Sequence, residues 1–140
     1  MAGLDPRLQK ECLVVGRFPL SHLLLMRDAN YPWFILVPDR EAVNEIHHLS
    51  EADRQQLLHE SCSLSEALET AFHPDKLNVA AIGNLVPQLH VHHVVRYRSD
   101  VAWPAPVWGR VPPQPYSYTQ LAALIVKLKA SLTEGVEYCV

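Results

Sequence analysis

Apolar positions along this chain fall into two rhythms. Short continuous runs at residues 22–26 (His-Leu-Leu-Leu-Met) and 33–37 (Trp-Phe-Ile-Leu-Val), split by the polar turn 27–32, predict an antiparallel pair of buried strands. Residues 77–82 predict a further strand, a turn follows at Gly83-Asn84, and residues 88–97 predict the next strand. Between these runs the period lengthens. Leu57, Leu58, Leu64, Leu68 and Phe72 recur near helical spacing with Glu and Gln opposite them, so a long helix should cover one face of the sheet. Ser50 with Asp53 resembles a capping box at its start, and Pro74 stops it.

The ends follow the same logic. Asp5-Pro6 is a helix start, with Asp capping and Pro at the first helical position, for a short helix to about Glu11. Residues 103–115 hold five prolines together with Trp103 and Trp108. That density forbids regular helix or central strand and predicts a stiff segment packing its indoles on the body. Residues 118–132, capped by Ser117 or Thr119, predict a closing amphipathic helix. The order of elements implies an α+β fold with a mostly antiparallel sheet.

Composition narrows the class. With 140 residues, 49% hydrophobic and 19% charged, the chain is expected to form one domain over 1–140. A net charge of −3 lacks the basic footprint of a protein that coats nucleic-acid polymers, yet leaves room for a small phosphorylated ligand in a local pocket. Residues 1–11 include Asp5, Arg7, Lys10 and Glu11, unlike a secretory leader. The uncharged stretch 77–95 contains Asn78, Asn84, Gln88 and three histidines, so no membrane span is expected there. Cys12, Cys62 and Cys139 are scattered, as reduced thiols of a cytoplasmic protein would be.

The chemistry concentrates in Gly83-Asn-Leu-Val-Pro-Gln88-Leu-His90-Val-His92-His93-Val-Val95. On a strand, Gln88, His90 and His92 would share one face, roughly 7 Å per step of two residues, while Leu89, Val91, His93 and Val95 share the other. The second face is nearly all apolar and should meet the long helix. A row of polar groups on the first face is costly unless each has a partner. Three readings are open for it. The residues can be a half-exposed strand face. They can ligate a metal, since His-x-His is a common ligand spacing, although Arg96 and Arg98 follow where a carboxylate would be wanted. Or they can act on phosphate: a neutral imidazole attacks phosphorus near pH 7, while a second imidazole, an amide and turn N–H groups hold the charged oxygens.

The segment Gly83-Asn84-Leu-Val86-Pro-Gln88-Leu-His90-Val-His92 resembles the signature of the histidine triad (HIT) family, in a bacterial variant with Gln-x-His-x-His in place of the full triad. Pro32-Trp33-Phe-Ile-Leu-Val-Pro38-Asp-Arg40 and Trp103-Pro104 resemble further family segments, so the likeness spans about residues 20–110. It implies a mostly antiparallel five-stranded sheet with one long helix packed on it, followed by a Pro-rich segment and C-terminal helix over 103–135.

The resemblance also implies roles. His90 matches the family nucleophile, which forms a nucleotidyl-histidine at the α-phosphate, and His92 matches the histidine that contacts phosphate oxygens. Gln88 stands at the first triad position and keeps a donor and an acceptor, but cannot carry a proton at any useful pH. Asn84, Gly83 and Asn78 correspond to phosphate contacts. Asp28 or Asn30 lies where the family binds ribose, and the strand containing Phe34 would wall the base. Trp33 replaces a further family histidine. The implied function is hydrolysis of a nucleotide conjugate, a phosphoramidate or dinucleoside polyphosphate, with a nucleotide-binding module or a nucleotidyltransferase as alternatives. No cofactor or metal is expected on the protein; any divalent metal would come with the substrate. A homodimer is expected by analogy, and neither a nucleic-acid polymer nor a membrane as partner.

Overall fold

Residues 3–140 are described in a computed structural model. The first helix, α1 (Pro6–Glu11), begins where Asp5 caps it by accepting from the Arg7 N–H, and runs directly into β1 (Cys12–Arg17). The strands β2 (Ser21–Met26) and β3 (Trp33–Pro38) follow, then α2 (Glu51–Phe72), β4 (Lys76–Ala80), β5 (Val91–Arg96), α3 (Tyr118–Ser131) and the short β6 (Glu137–Tyr138). The strands form one sheet in the order β4-β5-β3-β2-β1-β6, with every pairing antiparallel. The sheet therefore has six strands where five were expected. The apolar run in β1 is only Leu13-Val14-Val15, too short to stand out in the sequence, and two-residue β6 has less pattern still. β6 is seated by close backbone approach: a Cβ at Gly16 would lie 2.6 Å from the Glu137 carbonyl oxygen.

The two faces of the sheet carry separate cores. On one, Leu23, Leu25, Phe34, Leu36, Val91 and Val95 pack under α2 and α3. On the other, Leu24, Trp33, Ile35, Val37 and Val94 pack against α1 and the segment containing Ala102 and Val107. This is strand alternation read in three dimensions.

Ser50 accepts from the Asp53 N–H at 3.1 Å, as the sequence suggested for the start of α2. His73, ahead of Pro74, closes the helix in the left-handed conformation. The buried stripe is Leu57, Glu60, Leu64, Ala67 and Leu68; Leu58 is 65% exposed, because one residue of helix turns it about 100° from Leu57. The stripe admits Glu60 because its carboxylate accepts from the Leu20 N–H and from the Gln56 amide, each at 2.8 Å. Ser117 caps α3 in a reciprocal capping box with Gln120. Leu124 and Leu128 belong to the core beneath α3, with Ile125 packed beside them.

Arg96 fixes the Pro-rich segment. It is buried, paired with Asp100 at 2.8 Å, and donates to Asn78 and to the Ala105 carbonyl. Its guanidinium also sits over the rings of Tyr31 and Trp103. A buried cation whose Nε, Nη1 and Nη2 all donate to protein acceptors orders its surroundings, here the loop that delivers Trp108.

Candidate active site

β5 begins at Val91, three residues later than the sequence suggested. Residues 88–90 leave the ladder: the Leu89 N–H donates to the Val43 carbonyl, and the Gln88 side chain turns to the N-terminal segment. There its Oε1 accepts from the Asp5 N–H at 2.8 Å and its Nε2 donates to the Gly3 carbonyl at 2.9 Å. The Gln88-His90-His92 row on one strand face is thus broken at its first member. An amide with both groups matched by backbone is drawn off the face, and Gln88 does not line the cavity that holds the two histidines.

That cavity, about 800 Å³, opens on the sheet face opposite α2, a volume suited to a small-molecule ligand. His90 and His92 form its floor, their rings edge to face with centroids 4.9 Å apart. The His90 Nδ1 lies 2.7 Å from the Gln88 backbone carbonyl. Because a carbonyl only accepts, Nδ1 carries the proton and the Nε2 of neutral His90 carries the lone pair. The His92 Nδ1 lies 3.0 Å from the Trp33 indole Nε1. Burial, reinforced by the neighbouring imidazoles of His90 and His93, pushes the His92 pKa down to about 3. His92 is therefore neutral at physiological pH.

The rim comes from three directions. Gly83 and Asn84 contribute the turn after β4, where Gly83 takes a φ of +68° that suits glycine. Arg7 and Lys10 of α1 and Arg27 after β2 bring positive charge, and Glu11 and Asp28 bring negative charge. The Asp28 Oδ1 accepts from the Asn30 and Gln114 N–H groups, which ties the turn to the C-terminal segment. Trp108 closes one side, its ring 5.1 Å from that of His92.

Among the residues singled out from sequence, the fold brings His90, His92, Gly83, Asn84 and Asp28 around one cavity. It does not bring Gln88, Asn78, Asn30 or Phe34 there. Asn78 is spent on Arg96, and the Asn30 side chain donates to the Pro112 carbonyl. Phe34 faces the α2 core, since alternation gives the cavity face of β3 to Trp33 and Ile35. His93 also points to α2, where its Nε2 lies 2.7 Å from the Ser61 hydroxyl. Sequence reading missed the basic rim of Arg7, Lys10 and Arg27, because Arg27 lies far along the chain from the other two and no shared motif links it to them.

The HIT domain family model matches residues 7–99. The chain belongs to the HIT family. A histidine triad protein from Marinobacter aquaeolei is 47% identical, with a TM-score of 0.92 over 96% of this chain and 98% of that one. One from Bradyrhizobium japonicum is 44% identical, with a TM-score of 0.91 over 93% and 97%. A third, from Sinorhizobium meliloti, is 34% identical, with a TM-score of 0.90 over 93% and 96%. No curated protein matches this chain. The HIT fold includes nucleotide hydrolases and transferases. Among the described residues of this HIT domain, no helix is long and apolar enough to cross a membrane, and no three His, Cys, Asp or Glu side chains cluster to hold a metal.

Proposed function

We propose that this HIT protein hydrolyses a nucleotide conjugate at its α-phosphate through a nucleotidyl-histidine. The observation that carries this reading is the His90 Nδ1 contact to the Gln88 carbonyl, which leaves the Nε2 lone pair for attack at the cavity floor. In the first step the His90 Nε2 forms a bond to phosphorus, the bond from phosphorus to the leaving group breaks, and the leaving group departs with the electron pair and takes its proton from solvent. The imidazole is then cationic, and the Gln88 carbonyl stabilises its Nδ1–H. In the second step water attacks phosphorus and gives up a proton to solvent, the P–Nε2 bond breaks, and its electron pair returns to His90. Nucleoside monophosphate is released. His92, with Asn84 and the Gly83 turn, supports the charge that builds on the phosphoryl oxygens, and Asp28 contacts the nucleoside. Gln88 acts here through its main chain.

The test is AMP release from adenosine 5′-phosphoramidate, followed by chromatography, in the wild type and in His90→Asn. Intact mass in the same samples would show an acid-sensitive adduct. The expected result is turnover with a transient adduct, lost by roughly a thousandfold or more in the variant. AMP binding with neither turnover nor adduct would assign a nucleotide-binding module instead. Phosphate-dependent formation of nucleoside diphosphate would assign a transferase.

A further inference from the structure

Two imidazoles with ring centroids 4.9 Å apart face one cavity, and chemistry at phosphorus needs them to differ. A neutral imidazole has one N–H and one lone pair, so whatever meets Nδ1 decides what Nε2 can do. At His90 the partner is a carbonyl, an acceptor. At His92 the partner is the indole N–H of Trp33, which can only donate. The His92 Nδ1 must then hold the lone pair, and its Nε2 must hold the proton.

We infer that Trp33 is a positioning residue that gives the two histidines different roles, holding His92 as a fixed hydrogen-bond donor and withholding it as a second nucleophile. The register of the sheet places it to do so. Trp33 lies opposite Val94 and Ile35 lies opposite His92, so the Trp33 side chain is the diagonal neighbour of His92 on the same face. A diagonal gap suits the long indole, and the ring is itself held edge-on by Tyr31 at 6.2 Å and Trp108 at 5.8 Å. Trp33 is 6% exposed, so water does not compete well for its N–H. The rings packed on His92 are His90 on its own segment, Trp33 from β3 and Trp108 from the Pro-rich segment, and the ionisable groups that act on it are His90 and His93, neither a carboxylate. Protonating Nδ1 would set one N–H against another. The low pKa of His92 agrees with this, and it makes His92 a donor to phosphoryl oxygens rather than a source of the leaving group's proton. The consequence for turnover rests on the hydrolase reading above, whereas the tautomer rests on the sheet geometry alone.

Long-range proton–nitrogen correlation spectra of the full chain, labelled with 15N-histidine, separate the two tautomers without any substrate. The wild type should show His92 protonated at Nε2 and His90 at Nδ1. In Trp33→Phe, which keeps a ring and removes the N–H, His92 should move to a mixture of tautomers. On adenosine 5′-phosphoramidate kcat should fall roughly tenfold or more, with KM changed less. Trp108→Phe trims the other indole packed on His92 and should leave the tautomer in place.

A wild-type His92 carrying its proton on Nδ1 overturns the inference, even if the variant fails to fold. So does a Trp33→Phe protein that retains the Nε2–H form or full kcat, or an equal tautomer change in Trp108→Phe, which would point to loosened packing. Absence of turnover in the wild type would remove the hydrolase reading, and the spectra would still decide whether Trp33 sets the tautomer.

Discussion

His92 and His93 are neighbours in sequence with opposite surroundings. Both are buried, and burial is the first cause of the low pKa of each, about 3 for His92 and about 4 for His93. On the α2 face, His93 is fully satisfied. Its Nδ1 donates to the Val91 carbonyl at 3.1 Å, and its Nε2 accepts from the Ser61 hydroxyl at 2.7 Å. On the cavity face, His92 has its Nδ1 engaged by Trp33 and its ring at the cavity floor. Burial alone therefore does not mark a working histidine. What distinguishes the two is whether the fold spends both nitrogens.

The broadest way to probe the pair is pH. Both histidines have folded pKa values below the ordinary 6.5, so the unfolded chain binds more protons between about pH 6.5 and the folded values. The stability they confer is complete above pH 6.5 and falls as pH drops toward 4, by up to about 1.4 kcal/mol per pH unit for each group. Thermal unfolding followed across that window should show the decline, and His93→Leu should remove the His93 share of the slope, leaving that of His92 and of His22, whose pKa burial also lowers. A flat profile would mean that neither imidazole is held neutral by the fold.

A smaller, local effect is expected at Gln88. Gln88→Ala removes both side-chain bonds to the N-terminal segment, and hydrogen exchange at the Asp5 amide should quicken by roughly tenfold or more. Unchanged exchange would show that the Asp5–Arg7 cap and the Arg7 bond to the Leu85 carbonyl hold that segment without Gln88. The smallest effect tests the insulation of the two faces. Ser61→Ala should cost about 1 kcal/mol in denaturant unfolding by stripping the partner from the His93 Nε2. The His92 nitrogen resonances should not move, and a shift there would mean that the faces communicate through β5.

The parts of the molecule governed by short-range rules were readable without coordinates. Asp5-Pro6 and Ser50 with Asp53 mark helix starts because the orphan N–H groups of a first turn need nearby acceptors, whereas the choice of Ser117 over Thr119 at the last helix came with its box to Gln120 in the structure. Alternation correctly assigned Leu89, Val91, His93 and Val95 to the α2 side. It failed where the strand had not yet begun, at Gln88, because no local pattern announces that the backbone of residues 3 and 5 waits to bind the amide. Leu58 and Glu60 exchanged their expected places for a similar reason: the Leu20 N–H that makes a buried carboxylate tolerable is forty residues away in the chain.

By itself, the sequence determined the family, the antiparallel α+β scaffold and the two cavity histidines, since these depend on residue type at fixed spacing. Only the tertiary structure decided what each imidazole nitrogen faces. The Trp33 indole reaches His92 across fifty-nine positions, and Arg96 secures the loop that brings Trp108 beside it. Hydrogen-bond direction depends on which groups meet in space, and spacing along a chain does not encode that meeting until the sheet register is set.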